Sequence, residues 1–464
     1  MEGLPTTGAV LSALQNAYKA KLAIRRGSVP TAHEMVAYVG PAHHVPGSVW
    51  KSLCCQRMAL SPCGNWLAVT FKGEFLVESL DPTASGEAAP GGVLPAMYGL
   101  VVYSMSDRCT EVCRYWSSQL PIYCWAASTP HLSVAGLHAS AGGHHGEPKH
   151  ASAFVFDCQT KTMLHSLTPR TEEVLHPVKQ ECQHFAWCSE GRRLLIFSGI
   201  EQLHDKTGLL LVVDVWEDSV MLVSLLTVQR PFLGTLAAAW HPRAAIIVLS
   251  YGVMMQHPQT FGRAGFLATT LPQYCRLESQ PGMGFSPEGN RVMASICAQY
   301  DPFNDPVLLP RPHQIGVLDC KLQGSTMLCT LVYERTSFSC CWGPCSSVLV
   351  FDLCLDNLGS RHLSLLVDLT AQENSKHIAS SALDQPLSFS PSGQLVADNQ
   401  GDSQGPRISC LSSGMEMWVG SISVSEHFED NVMCGPFLPS GCGLVVSGSD
   451  LSQQSGILHI LRWG

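Results

Sequence analysis

Phe285-Ser-Pro-Glu-Gly289 runs directly into Asn290-Arg291 and the apolar stretch Val292-Met-Ala294. An aromatic residue, a proline–glycine turn and a β-rich run follow one another within ten positions. Proline presets φ and glycine tolerates positive φ, so the phrase reads as strand, tight turn, strand. It returns along the chain as Leu-Ser-Pro-Cys-Gly at 60–64, Trp-Cys-Ser-Glu-Gly at 187–191 and Trp-His-Pro-Arg-Ala at 240–244. Further copies are Trp-Gly-Pro-Cys-Ser at 342–346, Phe-Ser-Pro-Ser-Gly at 389–393 and Phe-Leu-Pro-Ser-Gly at 437–441. A weaker copy, Ser-Thr-Pro-His at 128–131, follows Trp125.

Each turn opens onto an apolar run: Trp66-Leu-Ala-Val69, Leu194-Leu-Ile-Phe197, Ile246-Ile-Val-Leu249, Val348-Leu-Val-Phe351 and Leu444-Val-Val446. Nearly continuous runs of this kind suit strands covered on both faces. A third element ends in aspartate in several copies, as in Phe154-Val-Phe-Asp157, Leu211-Val-Val-Asp214, Gly316-Val-Leu-Asp319 and Leu366-Val-Asp368. A polar turn and a fourth apolar run follow, for example Thr162-Met-Leu-His-Ser-Leu167. Four strands, a to d, recurring at a fixed period make up the blades of a β-propeller. The chain here resembles the WD40-like propeller superfamily: the Phe/Trp-Ser-Pro-x-Gly turn and the aspartate closing strand c are that family's features, from about residue 57 to the end. The Gly-His pair of the family is absent from the blade positions, and Trp-Asp is replaced by Phe-Asp, Val-Asp or Leu-Asp.

The fold class expected is all-β, a single propeller. The turns recur every 54 residues or so, beyond the ~40–45 of a compact WD40 repeat. The literal count is eight blades; seven is the alternative, with the copy near Pro130 absorbed into its neighbours. The last copy supplies strands a, b and c only, ending with Ile457-Leu-His-Ile-Leu461, so an N-terminal strand is expected to close the ring and remove an edge. Glu34-Met-Val-Ala-Tyr-Val39 is the candidate. The division expected is an N-terminal basic amphipathic extension over 1–33 and the propeller over 34–464.

Residues 3–33 hold Lys19, Lys21, Arg25 and Arg26 but no acid, and Leu11, Leu14, Tyr18 and Leu22 share one helical face. Such a segment is either an organelle transit peptide or an extension packed on the propeller. Across the 464 residues, 45% are hydrophobic and 14% charged, against about 25% charged in typical soluble domains. Either uncharged loop covers much of the surface, or another subunit does. A net charge of −9 lacks the basic footprint of a nucleic-acid binder, so none is expected as partner. No apolar run reaches the ~20 residues of a transmembrane helix. The 20 cysteines are scattered through strands, which reads as reduced core thiols and a cytoplasmic or nuclear protein.

The excess length lies mainly between strands b and c: residues 72–98, 139–150, 200–207, 253–263, 299–312, 355–361 and 398–406. In an antiparallel meander the b–c and d–a connections emerge at one end, and the a–b and c–d turns at the other. Long loops on a rigid scaffold carry binding function. The stretch at 299–312 combines prolines, which limit the entropy lost on binding, with apolar anchors. The partner-binding residues expected there are Tyr300, Asp301, Phe303, Asp305, Leu308 and Leu309.

Chemistry is sparse. There is no Walker loop, and Gly401-Asp-Ser-Gln-Gly405 lacks the strand-to-helix context of a nucleophile elbow. His138, His144, His145 and His150 lie in a Gly/Ala/Ser-rich loop that offers a metal little outer support. Cys340-Cys341-x3-Cys345 straddles a strand and turn, where adjacent side chains point apart. Cys109-x3-Cys113 has no matching pair. Asp301 and Asp305 lack a dense oxygen-ligand pattern. Trp125, Trp187, Trp240 and Trp342 read as packing between sheets rather than a ligand channel. No catalytic residue, cofactor or metal is expected. The function expected is a non-enzymatic interaction scaffold, a propeller subunit or adaptor whose partners are other proteins. The alternative is an enzyme or small-ligand binder with a site in the central channel.

Overall fold

The computed structural model describes residues 32–37, 48–77, 97–105, 109–117, 119–138, 150–166, 180–201, 206–216, 220–229, 238–240, 247–249, 254–256, 263–266, 275–278, 284–298, 313–319, 327–333, 338–342, 348–354, 362–368, 376–378, 388–399, 406–410, 416–418, 433–450 and 455–462. All the regular structure in them is β.

Strand β1 (Ala32–Ala37) precedes a series of antiparallel meanders. The first sheet is β2 (Ser48–Leu60), β3 (Trp66–Val77), β4 (Met97–Ser104) and β5 (Thr110–Ser117). The second is β6 (Ile122–Trp125), β7 (His131–His138), β8 (His150–Asp157) and β9 (Thr162–Ser166). The third is β10 (Gln180–Trp187), β11 (Arg193–Glu201), β12 (Lys206–Val215) and β13 (Val220–Gln229). The fourth is β14 (Ala238–Trp240), β15 (Ile247–Leu249), β16 (Met254–Gln256) and β17 (Arg263–Phe266). In the fifth, β18 (Cys275–Glu278) and β19 (Gly284–Phe285) both pair with β20 (Arg291–Ala298), which continues to β21 (His313–Asp319) and β22 (Met327–Tyr333). The sixth is β23 (Phe338–Trp342), β24 (Val348–Cys354), β25 (His362–Asp368) and β26 (Lys376–Ile378). The seventh is β27 (Ser388–Phe389), β28 (Leu395–Asn399), β29 (Pro406–Cys410) and β30 (Glu416–Trp418). In the last, β31 (Met433–Phe437), β32 (Gly443–Asp450) and β33 (Ser455–Arg462) are joined by β1, which pairs antiparallel with β33 from Ala32↔Arg462 to Ala37↔Ile457.

The chain separates into two compact units, Met1–Pro121 with Gly136–His150 and Ser380–Gly464, and Ile122–Ala135 with Ala151–Ala379. In the first unit, alternation along β32 shows why its run is apolar throughout. Leu444 and Val446 pack with Leu395, Ala397 and Ile408 of the seventh sheet. Val445 turns the other way onto Leu67, Val69 and Phe71 of the first sheet. Each face of the strand is covered over Leu444–Val446, which suits three apolar residues in a row. Burying a side chain of this size contributes about 1.5–3 kcal/mol. In the second unit, Val155 and Ala135 of the second sheet pack with Phe185, Leu194 and Ile196 of the third.

The repeated phrase builds one hydrogen-bonded hairpin turn. Ser61, Ser286 and Ser390 each donate their N–H to the residue five positions on, Trp66, Arg291 and Leu395, and accept from the glycine three positions on. The serine Oγ then accepts the N–H of that same Trp66, Arg291 or Leu395. In the third sheet the Cys188 sulfur takes this role toward Arg193 N–H, and in the last sheet Leu438 keeps only the backbone bonds. Gly64, Gly191, Gly289, Gly393 and Gly441 all have φ between 68° and 80°, the left-handed conformation that only glycine adopts freely.

Three details of the expected layout are corrected. The turn between β6 and β7 runs over 126–131, not 128–131: Ala126 N–H donates to the His131 carbonyl, so Ala126 stands where Ser61 does and Pro130 where Asn65 does. Proline fits there because the position uses only its carbonyl, which accepts from Cys158 N–H as Asn65 accepts from Met105. Residues 253–263 are not a b–c loop, since β16 lies inside them and pairs with β15. The strand sought at 34–39 lies at Ala32–Ala37.

Candidate interaction surface

Strands b and c carry the surface indirectly, by fixing what the turns present. At the third sheet, Val215 N–H donates to the Arg192 carbonyl, which ties the end of β12 to the β10–β11 turn. Arg193 locks the same corner: its Nε and Nη2 donate to Asp214 Oδ1 and Oδ2 at 2.6 and 3.1 Å. This bidentate pair holds the Arg193 guanidinium above its ordinary pKa, chiefly through the hydrogen bond to Asp214. Its neighbours on either side are left outside that pair. The Arg192 guanidinium sits over the Trp216 ring at 5.4 Å, and Trp216 is 44% exposed. Beside it at the start of β13, Met221 and Leu222 are 57% and 54% exposed. At the corresponding end of the second sheet Met163 is exposed as well. There the turn is fixed by Asp157, whose Oδ1 accepts from Gln159 N–H and whose Oδ2 accepts from Thr160 Oγ1.

An exposed tryptophan stacked by arginine, with two long apolar neighbours, is the residue mix that anchors protein interfaces. None of these residues is among the sites expected from the sequence. Trp216 stands directly after the strand-closing Val-Asp-Val, where a turn residue is ordinarily polar, and that is the signal it offered. These side chains lie at the a–b and c–d end of the third sheet, whereas the expected partner loops are at the b–c end. Tyr300, Asp301, Phe303, Asp305, Leu308 and Leu309 lie outside the described residues, between β20 and β21.

The tryptophans that close the a strands are fastened sheet to sheet. Trp187 donates its indole N–H to the Cys124 carbonyl at 3.2 Å and to Ser133 Oγ at 3.1 Å. Trp240 donates to the Ala186 carbonyl at 2.7 Å. In both cases the acceptor is the residue just before the tryptophan of the preceding sheet, Trp125 or Trp187. Packing between sheets is their role at these positions.

Among the described residues, the other sequence candidates are not brought together. Cys340 and Cys341 are neighbours within β23, and Cys345 lies outside the described residues. Cys109 is buried at the end of the β4–β5 turn, with its thiol 4.0 Å from Met105 Sδ. Burial, with Glu111 nearby, pushes the Cys113 thiol up to about 11, so it is protonated at neutral pH and a poor ligand or nucleophile. His138 and His150 fall at the ends of β7 and β8, while His144, His145 and Gly401–Gly405 lie outside the described residues. Among the described residues no three His, Cys, Asp or Glu side chains gather to hold a metal, and no helix is long and apolar enough to cross a membrane.

No model of a known protein family matches the chain, and no curated protein matches it in sequence. Solved structures do. Dihydro-heme d1 dehydrogenase NirN in complex with DHE is 11% identical, with 92% of this chain and 78% of that one covered at a TM-score of 0.48. Sqt1 from Chaetomium thermophilum is 12% identical over 89% of this chain and 96% of that one, at 0.46. The β-propeller domain of Cps50 (Swd1) from Myceliophteria thermophila is 10% identical over 74% and 95%, at 0.40. Relatives this distant leave function to the residues themselves. With its recurrent Ser-Pro-x-Gly hairpin and its succession of four-stranded antiparallel sheets, the chain is similar to the WD40-like β-propellers.

Proposed function

We propose that this chain is a non-enzymatic interaction platform, a propeller subunit or adaptor of a multiprotein complex. The observation that carries the reading is the corner of the third sheet, where Trp216, Arg192, Met221 and Leu222 stand exposed on a frame fixed by the Arg193–Asp214 pair. A rigid frame lowers the ordering cost of binding, and large exposed apolar groups supply its driving force. In this reading the meanders are the eight blades of one ring, with β1 as the fourth strand of the last blade, so the ring starts at Ala32 rather than at residue 34. The residues before β1 form an extension that either packs on the ring or directs import into an organelle. Without import the protein works in the cytoplasm or nucleus, in keeping with the ten free cysteines among the described residues. The prolines and apolar anchors of 300–309 make that segment the second contact region.

The test is affinity purification of the tagged full-length protein under native conditions beside two variants, Trp216→Ala and a Gly/Ser replacement of residues 300–309. A stoichiometric protein partner weakened by either change supports the platform and locates its working end. A protein recovered alone in all forms, carrying a bound small molecule in native mass spectrometry, overturns it in favour of a channel ligand.

A further inference from the structure

Pairing across the third sheet divides the exposed apolar groups of its corner between two faces. Asp214 lies opposite Arg193 where β11 pairs with β12, and opposite Met221 where β12 pairs with β13. Directly paired residues share a face of a sheet, so Met221 stands on the face that carries the Arg193–Asp214 ion pair. Leu222 lies opposite Val213 and therefore on the other face, where Val213 packs into the core formed by the second and third sheets. The ladder is regular over these pairs, and its shift falls beyond Leu222, where Val223 is skipped.

The Asp214 carboxylate is held by Arg193, and Glu190 also acts on that guanidinium. Arg192, an exposed residue of the same turn, has a different neighbour. Its guanidinium lies over the Trp216 ring at 5.4 Å, and no carboxylate among the described residues pairs with it. A guanidinium stacked on a ring keeps its in-plane N–H donors directed outward, in the fork that matches a carboxylate with two hydrogen bonds. Charge then decides the ligand chemistry. One unpaired guanidinium suits a monoanion, whereas a phosphate dianion is ordinarily met by a cluster of cations, and Arg193 is already taken by Asp214. The chain as a whole carries a net charge of −9, which repels a long acidic tail, so the acid belongs to a single side chain of a short segment. Trp216 and Met221, 44% and 57% exposed, offer a large apolar residue of that segment its contact.

We infer that Arg192, Trp216 and Met221 form a docking site for a short acidic–apolar segment of a partner protein. An aspartate or glutamate carboxylate of that segment accepts from the Arg192 guanidinium, and a large apolar residue beside it packs on Trp216 and Met221. This rests on the platform reading and names the partner chemistry of that corner.

The test selects a random library of short peptides on the purified full chain, removes those that also bind the Trp216→Ala chain, and measures the remainder by fluorescence anisotropy. Peptides with an acid beside a large apolar residue are expected. Arg192→Gln is expected to weaken them about ten-fold or more, with far-UV circular dichroism unchanged. Met221→Ser should weaken them several-fold, and Leu222→Ser, on the other face, by less than about two-fold. Replacing the peptide's acid by its amide should cost as much on the wild-type chain and nothing further on Arg192→Gln, a coupling that a general loss of structure does not produce. Selected peptides that lack an acid overturn the inference, and so does the absence of any that depend on Trp216. Tighter binding with phosphoserine in place of the acid assigns the site to phosphate and overturns it as well. Glu217 and Asp218, which follow Trp216, lie outside the described residues. Peptides that bind only after Glu217→Gln/Asp218→Asn would put a carboxylate of this chain on Arg192 and overturn it too. The platform is judged separately, by whether native purification yields a stoichiometric partner.

Discussion

Glycine at the fourth position of the repeated turn is required twice over at one site and once at another. Gly64 has φ of 75°, and a Cβ there would lie 2.1 Å from Pro439 Cγ of the neighbouring turn. Gly441 has φ of 72° with nothing within 4 Å of the Cβ position. Gly441→Ala is therefore expected to cost about 1 kcal/mol from backbone strain alone, and Gly64→Ala about 3 kcal/mol or more. Urea denaturation of the two variants reads the difference; equal losses would mean that the contact with Pro439 contributes nothing. The indole bonds behave differently, because their loss strands buried acceptors. Trp187→Phe removes the donor shared by the Cys124 carbonyl and Ser133 Oγ and is expected to cost about 1–3 kcal/mol. Trp216→Phe, at an exposed ring, should stay within about 0.5 kcal/mol in the same assay. The glycines and the a-strand tryptophans were legible as residue types in a repeating phrase. Their acceptors were not, since Trp187 and Cys124 are 63 positions apart and only folding sets them side by side.

Strands followed the sequence where a nearly continuous apolar run came just after a recognisable turn, as in β11, β24 and β32. They departed from it at the 126–131 turn, which has no glycine and carries its proline at a later position, and in the fourth sheet. The 126–131 turn keeps the backbone pattern with Ala126 in place of serine, and the fourth sheet fits its third strand, Met254–Gln256, into a stretch read as loop. Three-residue strands carry too little periodicity to be seen, and their pairing is set by the strands beside them. Within the first sheet, β4 and β5 place two weak acids in apolar surroundings. Burial raises both the Tyr103 phenol and the Cys113 thiol, the latter from 9.0 to about 11. The unfolded chain gives up these protons first. The Cys113 contribution to stability is thus complete below about pH 9 and is lost as pH rises toward 11, whereas that of Tyr103 starts to be lost only above about pH 10. Urea midpoints should fall between about pH 8 and about pH 10. Cys113→Ser should flatten the fall; an unchanged slope in that variant would assign it to other groups.

For the molecule as a whole, the pairing of β1 with β33 sets the two ends of the chain against each other. Removing residues 1–31 leaves β1 in place and is expected to keep the thermal midpoint near that of the full chain. Removing 1–37 takes the strand away, exposes the edge of β33, and is expected to lower the midpoint and promote aggregation. Equal midpoints for the two truncations would count against a ring closed by β1. The exposed corner at Trp216 belongs to this scale too. Val-Asp-Val-Trp is a strand end at which a tryptophan stands out in the sequence, but its neighbours in sequence do not decide whether the ring is covered or left beside Arg192. What the sequence by itself determined was the repeating unit: strand, glycine turn and doubly covered strand, because local φ preferences and hydrophobic period are properties of neighbouring residues. What only the tertiary structure decided was which sheets share a core, which carbonyl each indole reaches and which apolar side chains stay in water. Those depend on groups tens to hundreds of positions apart, brought together by burial that no local pattern encodes.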